Sequence, residues 1–124
     1  MSRSTPFALP INNSALPWAD VPEWPLAEFL RKVGAELDRG ERLSSLFGVP
    51  EGGALRLVAV LAFDAGNTLA VARSQPFSGS FPSLTLAHPQ AHLFEREIWE
   101  QHGAVPENHP WLKAVRQDHG AGPA

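Results

Sequence analysis

Apolar residues recur along the chain at two different spacings, and these spacings divide it into helices and strands. In 26–37 they stand three or four positions apart, the period of one buried helix face: Leu26, Phe29, Leu30, Val33 and Leu37. Pro25 suits the first position of this helix and Gly40 its end. The charged residues among them, Glu36 included, fall mostly away from the stripe and are expected to face water.

The middle of the chain has the pattern of strands. Apolar residues occupy both faces of Ala54 to Phe63, which is typical of a central strand covered on both sides. Residues 64–67 have turn chemistry, so Thr68 to Arg73 is expected to return beside that strand as a hairpin. Arg42 to Val49 predicts a further strand, and 81–86 a short fourth one after a loop.

A second long helix is predicted from about His88 to Gly103, with its buried stripe marked by Ala91, Phe94 and Ile98. A break containing two prolines then leads into a short helix over 110–117. From residue 25 onward, the predicted order is therefore a helix, the strands, a long helix and a short helix.

These elements predict one α+β domain over 25–119, a small, mainly antiparallel sheet with helices packed on it. Residues 1–24 are expected to form an extended, proline-rich arm, because four prolines interrupt regular structure among apolar residues. The arm could lie against its own domain or against a partner, and the pattern does not choose between them. Residues 120–124 are expected to be a frayed tail.

Composition excludes several functions. The chain has no cysteine, which excludes disulfides, thiolate chemistry and iron–sulfur ligation by the chain itself. A formal net charge of −3 offers no broad basic surface to nucleic acid or to anionic lipid. No apolar run approaches the roughly 20 residues of a spanning helix, and no signal-peptide pattern opens the chain. A cytoplasmic location is expected, with membrane contact only through another protein.

The stretches 94–103 and 108–113 are the most informative. At 100° per residue, Glu95 lies at the edge of the buried stripe of the second helix, whereas Leu93 and Glu100 lie on the opposite side. Glu95 is therefore expected to be more buried than Arg96 or Glu100. A buried carboxylate needs hydrogen-bond donors, which are expected at the sheet edge and around Asn108–His109.

These stretches resemble a motif shared by the complex I 30-kilodalton subunit family and the matching domain of membrane-bound nickel–iron hydrogenases. Its elements are an acidic–basic–acidic triplet, a glycine and a His-Pro pair followed by leucine. The chain carries them as Glu95, Arg96, Glu97, Gly103, His109, Pro110 and Leu112. Trp99 and Val105-Pro106-Glu107 favour the hydrogenase branch, of the formate hydrogenlyase type.

The chain departs from the motif at four positions. Glu100 stands where the family has aspartate, Asn108 where it has glycine, and Lys113 and Ala114 where it has paired arginines. Asparagine is the next best residue for a left-handed backbone, so the turn at Asn108 can survive. Lysine carries a compact ammonium group instead of the planar guanidinium group of arginine. Lys113 therefore weakens any bidentate contact with a partner carboxylate.

The resemblance implies a non-catalytic structural subunit, docked beside a large catalytic subunit and an iron–sulfur small subunit in a peripheral electron-transfer arm. The chain itself would hold no cofactor, while iron–sulfur clusters and nickel–iron or quinone sites would belong to its partners. The expected interface comprises Leu93, Glu97, Glu100, Trp111 and Lys113.

Two other functions stay open. One is a free-standing protein-binding module descended from such a subunit. The other is a small metal-dependent enzyme built on His88, His92 and Glu95, whose spacing can place ligands on one helix face. Pro89, however, puts His88 outside the regular turn, and carboxylates spaced along one helix more often form surface ion pairs.

Overall fold

The computed structural model describes residues 18–63 and 68–109. The regular elements are β1 (Glu23–Trp24), α1 (Leu26–Asp38), β2 (Arg42–Glu51), β3 (Ala54–Phe63), β4 (Thr68–Ser74), β5 (Ser80–Pro82), α2 (His92–His102) and β6 (Val105–Glu107). Single turns of 3-10 helix cover Trp18–Asp20 and Pro89–Ala91. The predicted turn at 64–67, the short helix at 110–117 and the tail lie outside the described residues.

The main sheet has the strand order β1-β4-β3-β2. β3 pairs antiparallel with β2 and β4, which confirms the central position and the hairpin predicted from its apolar pattern. β1 pairs parallel with β4 through two residues, so residues 23–24 of the predicted arm belong to the sheet. The mainly antiparallel α+β fold is confirmed.

The hydrophobic core lies on one face of this sheet. Alternate residues of β3, such as Leu57, Ala59 and Leu61, point to it and are fully buried. Phe29 and Val33 of α1 are also fully buried in the same cluster, and Ile98 of α2 joins them. Each large apolar side chain buried in this way contributes about 1.5–3 kcal/mol. Neither helix in this part of the chain is long and apolar enough to cross a bilayer.

The chain after β4 departs from the predicted pattern. The strand expected at 81–86 is β5, shifted to Ser80–Pro82, and it pairs parallel with β6 in a separate two-stranded sheet. The residues that follow β5 form a turn because their polar groups bind a side chain of α2. The fourth strand of the main sheet is β1.

Glu36 is a second departure. It was expected to face water, but only 3% of it is exposed. Glu36 follows Val33 by three positions and so borders the buried stripe. The chain beyond the helix turns back on it, since the Arg39 and Glu41 backbone N–H groups both donate to the Glu36 carbonyl.

Two glycines provide a matched test of the packing. A Cβ on Gly34, within α1, would lie 3.7 Å from His88 Nε2, an ordinary contact. Gly34→Ala should therefore raise the free energy of unfolding by roughly 0.5–1 kcal/mol, because alanine loses less entropy in a helix. A Cβ on Gly48 would lie 2.8 Å from Leu55 Cδ1 and 3.1 Å from His102 Cδ2. Gly48→Ala should lower the free energy of unfolding by about 1–3 kcal/mol. Urea denaturation measures both, and a shift of the same sign in both variants would contradict this packing.

Candidate protein interface on helix α2

Helix α2 has one side in the core and one in water. Glu95, Ile98 and Trp99 are buried, whereas Glu97 and Glu100 are exposed. Leu93 lies on the exposed side with 66% of its surface accessible. Trp99 is fully buried.

The carboxylate of Glu95 is fully buried and accepts three short hydrogen bonds. The Ser83 and Thr85 hydroxyls each donate to Oε1 at 2.6 Å, and the Leu84 backbone N–H donates to Oε2 at 2.6 Å. The predicted burial of Glu95, greater than that of Arg96 and Glu100, is confirmed. The donors come from the turn after β5, and from the Asn108–His109 region only His109 Nε2 approaches, at 3.9 Å.

These hydrogen bonds connect α2 to the turn 83–85. Removing a carboxylate from water costs several kcal/mol unless donors replace the lost hydration, and hydrogen bonds to a charged group contribute about 1.5–3 kcal/mol each. Ser83 and Thr85 did not figure in the sequence prediction. The two hydroxyl residues within three positions after Pro82 could have predicted a polar turn. They could not have predicted that both bind Glu95, which lies 10–12 residues further along the chain.

His109 is buried at the end of the described chain. Its Nε2 lies 3.3 Å from His92 Nδ1, and burial lowers the pKa of His109 below its ordinary value. The chain reaches this position through two left-handed residues, Gly103 at φ 77° and Asn108 at φ 65°. Asn108 therefore adopts the left-handed conformation that was predicted for it, at the position where the motif has glycine.

The three residues proposed as metal ligands do not come together. His88 Nε2 lies 3.3 Å from Asp38 Oδ1, on the side of α1, while His92 and Glu95 both approach His109 instead. Within 18–63 and 68–109, no group of three or more suitable side chains could hold a metal ion.

The exposed side of α2 makes contacts that leave it at the surface. Arg96 Nε lies 3.2 Å from Glu100 Oε2, and Gln101 Nε2 donates to Glu97 Oε2 at 3.3 Å. Exposed pairs of this kind contribute about 0–1 kcal/mol to folding. Of the other residues expected at the site, Pro110, Trp111, Leu112 and Lys113 lie outside the described residues.

Glu95→Ala tests the buried anchor. The substitution leaves the Leu84 N–H and two hydroxyls without their acceptor, so the free energy of unfolding should fall by about 3 kcal/mol or more. Glu100→Ala, on the exposed side of the same helix, should cost about 1 kcal/mol or less. Chemical denaturation compares the two, and equal small losses would show that Glu95 does not anchor the fold.

His109 predicts a loss of stability in mild acid. Because its folded-state pKa lies below the unfolded value of 6.5, the unfolded chain binds the proton first. The contribution of His109 to stability is therefore complete above that pH and is lost as the pH falls toward the folded-state pKa. His109→Gln should flatten this part of the pH profile measured by thermal unfolding. A wild-type profile that stays flat below pH 6.5 would rule this out.

The comparison with protein families covers nearly the whole chain. Residues 20–122 match the family described as the respiratory-chain NADH dehydrogenase, 30 Kd subunit. No curated protein matches the chain. The match includes both sheets, both helices and every motif residue from Glu95 to Leu112. The chain belongs to the 30-kilodalton subunit family of respiratory-chain NADH dehydrogenase.

Proposed function

We propose that the chain is a non-catalytic subunit of an oxidoreductase complex related to NADH dehydrogenase, and that it docks on the large catalytic subunit through the exposed side of α2. Family membership supports the assembly with other subunits. The absence of cysteine from the sequence supports placing the iron–sulfur clusters, and any nickel–iron or quinone site, in the partner chains.

The observation that carries this proposal is the division of α2 into two sides. Its inner side is held by the three hydrogen bonds to Glu95 and by the burial of Ile98 and Trp99. Its exposed side presents Leu93 between charged residues on a backbone that the inner side already keeps rigid. A preformed surface loses little conformational entropy on binding, which is what a specific interface needs.

The charges on the exposed side indicate the partner's chemistry. Glu97 and Glu100 outnumber Arg96, so a complementary surface would carry basic side chains around an apolar contact for Leu93. Docking of this kind needs no membrane span in the chain, and the complex would be peripheral to the membrane on its cytoplasmic side. The small iron–sulfur subunit is the second proposed partner.

We further propose that the complex is of the hydrogenase type. Trp99 and Val105-Pro106-Glu107 are the residues that favour it, and both Trp99 and Pro106 are fully buried. Their role in this chain is therefore internal packing. Nickel in the purified complex would support the hydrogenase branch, and oxidation of NADH without nickel would support the quinone-reductase branch.

Glu100→Gln and Glu28→Gln are a matched pair for testing the interface. Each removes a carboxylate from an ion pair four residues apart on a helix, Arg96–Glu100 at 3.2 Å and Glu28–Lys32 at 3.5 Å. Both should therefore change the unfolding temperature little. Glu100→Gln combined with Glu97→Gln should weaken binding to the large subunit by about 2 kcal/mol, roughly 30-fold, if their cationic partners are buried on docking. Co-purification and titration with the large subunit measure the effect.

Two outcomes would contradict the proposal. If the Glu97/Glu100 variant assembles as well as Glu28→Gln, the interface lies elsewhere on the chain. If the tagged wild-type chain purifies from its native host without a large catalytic subunit, the chain acts as a free-standing binding module.

A further inference from the structure

The face of the main sheet opposite the helices carries a second apolar surface. In β3, Val58, Val60 and Ala62 alternate with the core residues and so point to this face. The register places Phe47 beside Val58 and Leu69 beside Ala62. None of these five residues belongs to the hydrophobic core cluster. We call them, with Val71 beside Val60, the outer sheet face.

The outer sheet face is accessible at its two flanking strands, whereas Val58 and Ala62 at its centre are buried. Phe47 is 42% exposed and Leu69 is 48% exposed. With Trp18, 47% exposed, they are three of the five large apolar residues exposed in the described part of the chain. The other two are Leu86, which follows β5, and Leu93, which lies on α2. Apolar side chains gathered on one sheet face, and not scattered singly, indicate a surface that is covered in the working protein.

One end of the outer sheet face is closed by a charged network. Arg56, only 7% exposed, donates to Glu23 Oε2 at 2.6 Å and to both carboxylate oxygens of Glu51 at 2.9 and 3.0 Å. Arg73 lies next to it, with its guanidinium 4.4 Å from the ring centroid of Trp18. The network therefore fixes β1, and Trp18 before it, at the edge of the apolar surface.

We propose that the N-terminal segment 1–17 of this same chain covers the outer sheet face. Trp18 lies at the edge of that face, against Arg73, so the segment joins the described chain beside the surface that it would cover. Seventeen extended residues reach at most about 55–60 Å. The outer sheet face spans roughly 10 Å across three strands and about 13 Å along β4, so the segment is long enough to cover it.

The chemistry of the segment fits an apolar surface. Its apolar residues include Phe7, Leu9, Ile11 and Leu16, and Arg3 is the one charged residue among positions 1–17. Three prolines reduce the entropy that the segment loses on taking a fixed extended path. Because the segment is covalently joined to Trp18, its effective concentration at the sheet is on the order of millimolar. A separate partner would have to displace it.

A thermal double-mutant experiment on the full chain tests the proposal. Phe7→Ser with Leu9→Ser should lower the unfolding temperature by several degrees, because apolar contacts with the sheet are lost. The same pair should have at most half that effect when Phe47→Ser and Leu69→Ser have already removed the contacts. In the matched control background Leu93→Ser, on α2, the full effect should persist. Additive shifts in both backgrounds, or no shift from the segment variant, would overturn the proposal.

A spin label gives a readout that does not depend on stability. The chain has no cysteine, so Ser4→Cys provides a single attachment site for a nitroxide. The oxidised label should broaden the methyl signals of Val60 and Leu69 and spare those of Leu93, with the reduced label as reference. Broadening of Leu93 as strong as that of Leu69, or broadening of neither, would overturn the proposal and would leave the outer sheet face to a second subunit.

Discussion

The architecture depends on a carboxylate held inside the protein. Glu95 is fully buried and takes three donors from the turn 83–85, each at 2.6 Å. An ionised group in that position is tolerated only where its hydration is fully replaced, so the turn and the helix cannot be positioned independently. β5 ends at Pro82, one residue before the first donor, and pairs with β6, the strand that follows α2. The small sheet and the helix are thus fixed to each other through Glu95.

This anchor gives α2 its two distinct sides. The inner side binds the core through Ile98 and Trp99, and β2 admits the helix closely because Gly48 has no side chain beneath His102. The exposed side is left with a leucine and charged residues, and exposed ion pairs of this kind contribute only about 0–1 kcal/mol to folding. A family whose members assemble with other subunits requires such a surface, and the triplet Glu95-Arg96-Glu97 contributes one residue to the anchor and two to the exposed helix surface.

The main sheet shows a similar division. Its inner face is covered by α1 and α2, while its outer face is closed at one end by Arg56 with Glu23 and Glu51. Burial alone would lower the pKa of Arg56. The hydrogen bonds and the attraction from Glu23 and Glu51 outweigh this effect, so the pKa is raised above its ordinary value. The pair Arg56–Glu23 also ties β1 to the sheet, since two residues of parallel pairing alone are a weak attachment.

The hydrophobic pattern by itself determined most of the fold. The spacing in 26–37, the two apolar faces of 54–63 and the stripe through Phe94 and Ile98 correspond to α1, β3 and α2. Such periodicities are local, because a helix or a strand must turn one repeat of its side chains toward the core. The edge position of Glu95 and the left-handed turn at Asn108 followed from the same local geometry.

Tertiary structure decided what the pattern left open. Glu36 proved buried because the chain after α1 returns over it, and β5 ended early because Ser83, Leu84 and Thr85 bind Glu95. β1 joined β4 across about 50 positions of sequence, and His88 turned to Asp38 and away from His92. These contacts depend on which partner occupies the adjacent space, and a one-dimensional pattern carries no distance between residues far apart in the chain. For this reason the sequence located the helix that bears the candidate interface and predicted the burial of Glu95, whereas only the folded structure decided that Ser83, Leu84 and Thr85 supply the donors to its carboxylate.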